Sequence, residues 1–254
     1  MDQTVRIAAT VNVAYGDHPA RRLDVFAPES AEQKPAVLCF AGGRWEHDGR
    51  LAMRPLALSL AEQGFPAVAV GVRTLEQAGG GTNLLRDAAA ACRAALDEAS
   101  ILGAHHRVVH LLGSGTGSLT ALLVARELLA TGTIGVRSVI CCGPLPTSRP
   151  WSGCDPVLAE RLTVFAGDDP SSRDPLSADP TGLPPVCSIR ASASTCLPEA
   201  TLTAFHERLR SVGQSECIHV LDGLPHRFAE SPHAPASVPA IAQVLAWLRA
   251  PDHD

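Results

Sequence analysis

The sequence predicts an α/β domain: a largely parallel β-sheet covered by helices on both faces, with an antiparallel N-terminal edge. Three observations carry this reading. Short apolar runs of strand length alternate with helical stretches, the pattern of repeated β-α-β crossovers. One such run, Val108-Val109-His110-Leu111-Leu112, meets the glycine cluster Gly113-Ser114-Gly115-Thr116-Gly117 and passes at once into a helical pattern with Leu119, Leu122, Leu123 and Ala125. Finally, two opening β segments are joined by a turn too short for a crossover, so they pair antiparallel at one edge.

The 254 residues suit one domain spanning 1–254, and a composition 46% hydrophobic and 19% charged excludes disorder. The net charge is −5 with no basic stripe, which argues against nucleic acid as a partner; arginine supplies nearly all the positive charge, Lys34 being the sole lysine. The N-terminus lacks the basic and apolar regions of a signal peptide, and no apolar run reaches the roughly 18 residues of a membrane span. Eight cysteines (Cys39, Cys92, Cys141, Cys142, Cys154, Cys187, Cys196, Cys217) form no C-x-x-C pair. The expectation is buried free thiols in a reducing cytoplasm, with no metal and no cofactor. Oligomeric state is left open.

In order along the chain, residues 5–13 and 22–26 read as β segments around Gly16-Asp17-His18-Pro19. Residues 35–40 are a continuous apolar run of buried-strand length, followed by Ala41-Gly42-Gly43-Arg44-Trp45. Residues 51–63 are helical in pattern and stopped by Gly64 and Pro66; a short apolar run follows at 67–72. Gly79-Gly80-Gly81 reads as a flexible loop, with Thr82 or Asn83 capping a helix to about residue 99. After the glycine cluster and its helix, residues 136–142 give a strand ending in Gly143-Pro144. Residues 145–185 are rich in Pro, Ser, Asp and Gly, with a short helix near 155–162. That exceeds the usual ceiling of about 12–15 residues for a structureless loop and reads as a lid-like insertion or pocket wall. Strands at 186–191 and 216–221 and helices at 198–212 and 238–249 complete the chain. Such sheets bind ligands beyond the carboxyl ends of their strands, and every unusual loop here follows a strand.

Several motifs stand in a telling order: RRLDVFAP, FAGGRW, Arg86-Asp87-Ala88, SVICCGPL, Asp174-Pro175-Leu176, PPVCSIRASASTCLP and LDGLPHRF. They resemble, respectively, the "LDVYxP" strand, the "HGGGW" oxyanion loop, the "EDxxAA" helix start, the strand after the nucleophile helix, the "SP(L/I)" turn, the "PPxLIxHGxxDxxVP" acid strand and the histidine turn. These are landmarks of the α/β-hydrolases of esterase/lipase type, close to the feruloyl-esterase-like and hormone-sensitive-lipase-like groups. The resemblance runs from about residue 11 to residue 249 and implies the α/β-hydrolase fold, with residues 113–117 as its G-x-S-x-G nucleophile elbow.

Carried over residue by residue, the family's nucleophile falls on Gly115, its acid on Ser194 and its base on His226. Ala41 replaces the leading histidine of the oxyanion motif, and Arg44 its third glycine. Gly115 removes the attacking oxygen, and Ser194 leaves His226 no carboxylate to hold its tautomer; in a serine protease, losing that carboxylate alone costs about 10⁴ in rate. The backbone amides of Gly42, Gly43 and Thr116 can still serve as oxyanion donors, because that role needs no side chain. Trp45 is expected as a pocket wall, Ser114 and Cys142 as residues on the rim, and Asp222 as a stand-in partner for His226. His105-His106 is expected to be a solvated loop.

The leading expectation is a protein of this fold that binds a small acyl or ester-like molecule, or acts as a scaffold, without triad hydrolysis. Two alternatives stand beside it. One is an ester hydrolase in which His226 activates water, or Ser114 or Cys142 attacks. The other is nucleotide binding at the turn 113–117, although Ser118 breaks the G-x-G-x-x-G spacing.

Overall fold

The computed structural model describes residues 5–29, 34–101 and 107–250; His105-His106 lie outside them. Eight strands form one sheet in the order β1 (Ile7–Ala14), β2 (Arg22–Pro28), β4 (Ala67–Val70), β3 (Ala36–Phe40), β5 (Val108–Ser114), β6 (Gly135–Cys142), β7 (Val186–Ala191) and β8 (Glu216–Leu221). β1 pairs with β2, and β2 with β4, antiparallel, while the remaining pairings are parallel. The chain leaves β3 for β4 on one side and later returns to lay β5 on the other. The carboxyl ends of β3 and β5 therefore flank the point where strand order reverses, the crevice where open α/β sheets bind ligands.

Seven helices are described: α1 (Arg50–Glu62), α2 (Leu75–Ala78), α3 (Gly81–Ile101), α4 (Thr116–Thr131), α5 (Pro156–Ala166), α6 (Glu199–Ser211) and α7 (Val238–Arg249). The two-residue period of the strands sends alternate side chains to opposite faces. Leu38 and Phe40 of β3 pack with Ala88 and Cys92 of α3, Leu122 and Leu128 of α4 and Phe205 of α6. Val37 and Cys39 of the same strand pack with Met53 and Leu60 of α1 and Val244 of α7. Burial on both faces is why the central strands read as unbroken apolar runs.

Two local expectations change. Thr82 and Asn83 do not cap α3, which begins at Gly81; the Asn83 side chain instead donates to the Ala78 carbonyl at 2.8 Å. The glycines before it close α2 tightly, with Gly79 in the left-handed region at φ 69°. The helix expected near 155–162 runs Pro156–Ala166, its first turn capped by Asp155, which accepts from the Leu158 amide at 2.9 Å. In the stretch 145–185, Leu145, Leu162 and Phe165 pack with Trp45 and Leu119. Asp174, fully buried, fastens it by accepting from the Ser148 amide at 3.2 Å and pairing with Arg149 at 3.1 Å.

The N-terminal edge is held by a buried charge. Asp24 of β2 is fully buried and pairs with Arg50 and Arg54 of α1, each at 2.5 Å. It also accepts from the Asn12 amide at 2.7 Å, at an irregularity in β1 where Asn12 takes φ 60°. Burial raises the Asp24 pKa, but the hydrogen bonds from Arg54 and Asn12 and the charge of Arg50 outweigh it, so the net shift is downward. A carboxylate lowered in the folded state adds stability that is fully present above its unfolded value of about 3.9 and fades as pH falls through the folded value. Asp24→Asn, which strands the buried Arg50, is expected to lower stability at pH 7 by about 3–5 kcal/mol, measured by urea unfolding. The variant should also lose part of the wild-type protein's stability decline between pH 4 and lower pH.

Candidate active-site rim at the strand–helix elbow

Where β5 becomes α4, the backbone turns sharply and Gly115 takes φ 52° and ψ −121°, outside the regions open to ordinary residues. The three glycines of the turn are there for different reasons. A Cβ on Gly113 would stand 2.2 Å from the Gly117 carbonyl oxygen, and one on Gly117 would stand 2.3 Å from that of Phe40. Those two positions must be bare for strand and helix to approach. A Cβ on Gly115 would meet nothing nearer than the Gly42 Cα at 3.8 Å. The nucleophile position thus has room for a side chain and lacks one.

Opposite this turn lies the loop after β3. Gly42 could carry no side chain, since its Cβ would stand 2.7 Å from the Ser114 carbonyl oxygen. Gly43, Arg44 and Trp45 all have positive φ, at 81°, 56° and 56°. Two non-glycine residues in the left-handed region mark stored backbone strain, on the order of 1–3 kcal/mol each. The structure shows what holds them. The Arg44 amide donates to Thr116 Oγ1 at 3.1 Å, and the Trp45 indole donates to Thr120 Oγ1 at 3.0 Å while stacking on Phe165 at 4.3 Å. Thr116, expected mainly for its amide, also clamps this loop with its hydroxyl. Its amide is the first of α4 and has no intrahelical acceptor. Trp45 walls a small cavity of about 20 Å³ with Gly42 and Thr120.

The expected attacking groups are disposed as follows. Ser114 is buried at the end of β5, and Cys142 is buried with its thiol pKa pushed well above the ordinary value by burial. The Cys142 carbonyl accepts from the Gly115 amide at 2.8 Å, so this residue shapes the elbow through its backbone. His226 is exposed on the loop after β8. Its described partner is neither Ser194 nor Asp222: Nδ1 and Nε2 lie 3.4 and 3.8 Å from Cys196 Sγ. Ser194, Cys196, Arg190, Gly143 and His226 line a second cavity of about 20 Å³. Cys196, two residues past the acid position, escaped the sequence reading because that position is variable in the motif. A larger cavity, about 1050 Å³, is an open groove elsewhere, near the start of β6 and β7, lined by Arg86, Arg126, Arg137 and Arg173.

The overall likeness can now be stated. Esterase B from Lactobacillus rhamnosis superposes with a TM-score of 0.79, at 18% identity over 97% of this chain and 85% of that one. The chain has the α/β-hydrolase fold. A bacterial heroin esterase (TM-score 0.78, 18% identity, 97% and 84% covered) and a hyperthermophilic esterase from Pyrobaculum calidifontis (0.75, 20%, 96% and 85%) share it. In sequence, a probable isoprenylcysteine alpha-carbonyl methylesterase from Arabidopsis thaliana is 28% identical over 108 residues, 42% of this chain. The match spans only a quarter of that relative's length. No family model matches the chain.

Two further clusters were not foreseen. Ser188, His206 and Glu216 reproduce the hydrogen-bond order of a triad, with His206 Nε2 2.8 Å from Ser188 Oγ and Nδ1 2.7 Å from Glu216. Ser188 and His206 are 0% and 1% exposed, so no substrate reaches the hydroxyl, and burial lowers the imidazole pKa despite Glu216. This group ties α6 to the sheet. Separately, the ligand atoms of Cys187, Cys217 and His219 all lie within 4.8 Å of one another, with Cys217 Sγ 3.6 Å from His219 Nε2. Two thiols and an imidazole are a donor set suited to zinc, assembled across β7 and β8 where no sequence spacing revealed it. Among the described residues it is the group that could hold a metal ion.

The glycine geometry predicts a contrast. Gly113→Ala and Gly117→Ala should each cost more than about 3 kcal/mol through backbone clash. Gly115→Ser should fold and cost only about 1–3 kcal/mol, the strain of its φ. Thermal unfolding of the three variants measures the difference.

Proposed function

We propose that this protein binds a small acyl or ester-like molecule at the elbow rim without serine-triad turnover. The observation that carries the reading is Gly115: the elbow keeps its special backbone and an open Cβ direction but presents no nucleophile. The rest of the site agrees. His226 has no carboxylate partner among the described residues, and the residue in the acid position, Ser194, is engaged through its backbone with Ala191 and Arg190. Oxyanion donors and substrate binding alone leave about 10³–10⁴ over the uncatalysed reaction, far below a working triad. The fold and its esterase neighbours support an ester-like ligand class, because the backbone donors that would polarise a carbonyl need only main-chain atoms.

The second reading, an ester hydrolase with non-standard residues around His226, is favoured by one observation, the thiol of Cys196 against its ring.

On the leading reading, purified protein shows no stoichiometric labelling by a fluorophosphonate probe and no steady-state hydrolysis of p-nitrophenyl acetate above that of free imidazole. The double variant Gly115→Ser with Ser194→Asp is expected to gain both. Labelling of the unaltered protein by the probe would sink this reading.

A further inference from the structure

On the histidine side of the rim, four polar residues line one cavity: Arg190, Ser194, Cys196 and His226. The cavity is small, about 20 Å³, and is open to solvent on the side of the exposed Cys196 and His226. Cys196 is exposed, and its Sγ lies 3.4 Å from Nδ1 of His226. An imidazole nitrogen so placed can take the thiol proton, and the thiolate is the nucleophilic form. Arg190 lies at the inner side, only 8% exposed. It donates to two backbone carbonyls, Ala191 at 3.4 Å and Ser194 at 3.3 Å, and no carboxylate among the described residues pairs with it. A guanidinium withdrawn from water without a counter-charge is unfavourable, and its five N–H donors leave capacity beyond those two long bonds. An anionic group entering beside Cys196 answers both.

We propose that Cys196, with His226 as its base, is a nucleophile that captures the acyl group of a small ester or thioester whose carboxylate is held by Arg190. This rests on the preceding reading only for the ligand class; Gly115 takes no part. The Cys196 sulfur bonds to the carbonyl carbon as its proton passes to His226. The carbon–oxygen or carbon–sulfur bond to the leaving group then breaks, and the alcohol or thiol departs with that proton. The acyl group remains on Cys196 as a thioester, with no change of oxidation state.

The full-length protein is treated at pH 7 with limiting iodoacetate or iodoacetamide, and alkylation of each cysteine is quantified by peptide mass mapping. Cys196 should react before the half-buried Cys154 and Cys217. Normalised to free cysteine, it should favour iodoacetate over iodoacetamide by about tenfold, the worth of one charge-assisted hydrogen bond. His226→Gln should slow its alkylation by about tenfold, a modest factor because a free thiol is already a few per cent ionised at neutral pH. Arg190→Gln should erase the iodoacetate preference while Cys196 still reacts. If that variant fails to fold, protection of Cys196 by added succinate in the unaltered protein reads the same anion site. Finally, p-nitrophenyl hemisuccinate should release about one equivalent of p-nitrophenolate and leave a succinyl group on Cys196, as expected of covalent catalysis by a thiol; Cys196→Ser should lose both. Alkylation of Cys196 no faster than that of Cys154, or no dependence on His226 and no preference for iodoacetate, overturns the proposal. Fluorophosphonate labelling of Cys196→Ala would instead count against the reading of the elbow, so the two failures are distinguishable.

Discussion

The close approach of three backbones where β5 turns into α4 governs the rest of the rim. The end of β3, the first turn of α4 and the last residue of β5 meet at distances that admit no side chain on Gly42, Gly113 or Gly117. Once those three are bare, the remaining geometry follows. Gly115 must take its unusual φ and ψ to reverse the chain, the loop after β3 must swing through a left-handed run, and Thr116 is brought within hydrogen-bond distance of Arg44. The elbow is therefore a packing solution first. A nucleophile is an optional addition to it, and in this chain the turn persists with the addition missing.

A second layer of constraint is electrostatic. Asp24, Asp87 and Asp174 are 0–2% exposed, and each is neutralised by arginine: Asp24 by Arg50 and Arg54, Asp87 by Arg73 at 2.6 Å, Asp174 by Arg149. Each pair ties a loop or edge to the central sheet. Buried pairs of this kind punish loss of one partner far more than they reward the presence of both, so they hold these loops in place whatever chemistry the rim performs. Arg190 is the exception, a buried guanidinium facing the histidine cavity with backbone carbonyls for company. Among the described residues those carboxylates are matched by arginines, whereas no carboxylate pairs with Arg190.

Much of the architecture was legible in the residues. Strands buried on both faces must be apolar throughout, so the runs at 36–40, 108–112 and 186–191 could be read directly, and the elbow's glycines followed from their spacing. Gly115, Ser194 and His226 stood out as candidates because each sits in a motif with fixed offsets, and the roles given to them belong to the proposed function. What sequence spacing misled on was local hydrogen bonding: Asn83 looked like a cap and is instead a tether for the preceding helix, since the turn at Gly79 and Gly80 starts α3 earlier. Cysteine spacing likewise concealed the meeting of Cys187, Cys217 and His219. Its members come from two strands about 30 residues apart, joined by the parallel register that sets Cys187 opposite Cys217.

By itself, then, the sequence determined the fold and the residue types, Gly115 and Ser194, at two positions where the resemblance expects a serine and a carboxylate. Both are properties of residue identity within local, periodic patterns, and no neighbour can change them. Only the tertiary structure decided which groups face one another. It set Cys196 against His226 in place of Asp222, sealed the Ser188–His206–Glu216 relay inside the core, and turned Arg190 toward the rim. Those contacts join loops and strands far apart in the chain, and their distances arise from sheet register and loop closure, which residue spacing does not encode.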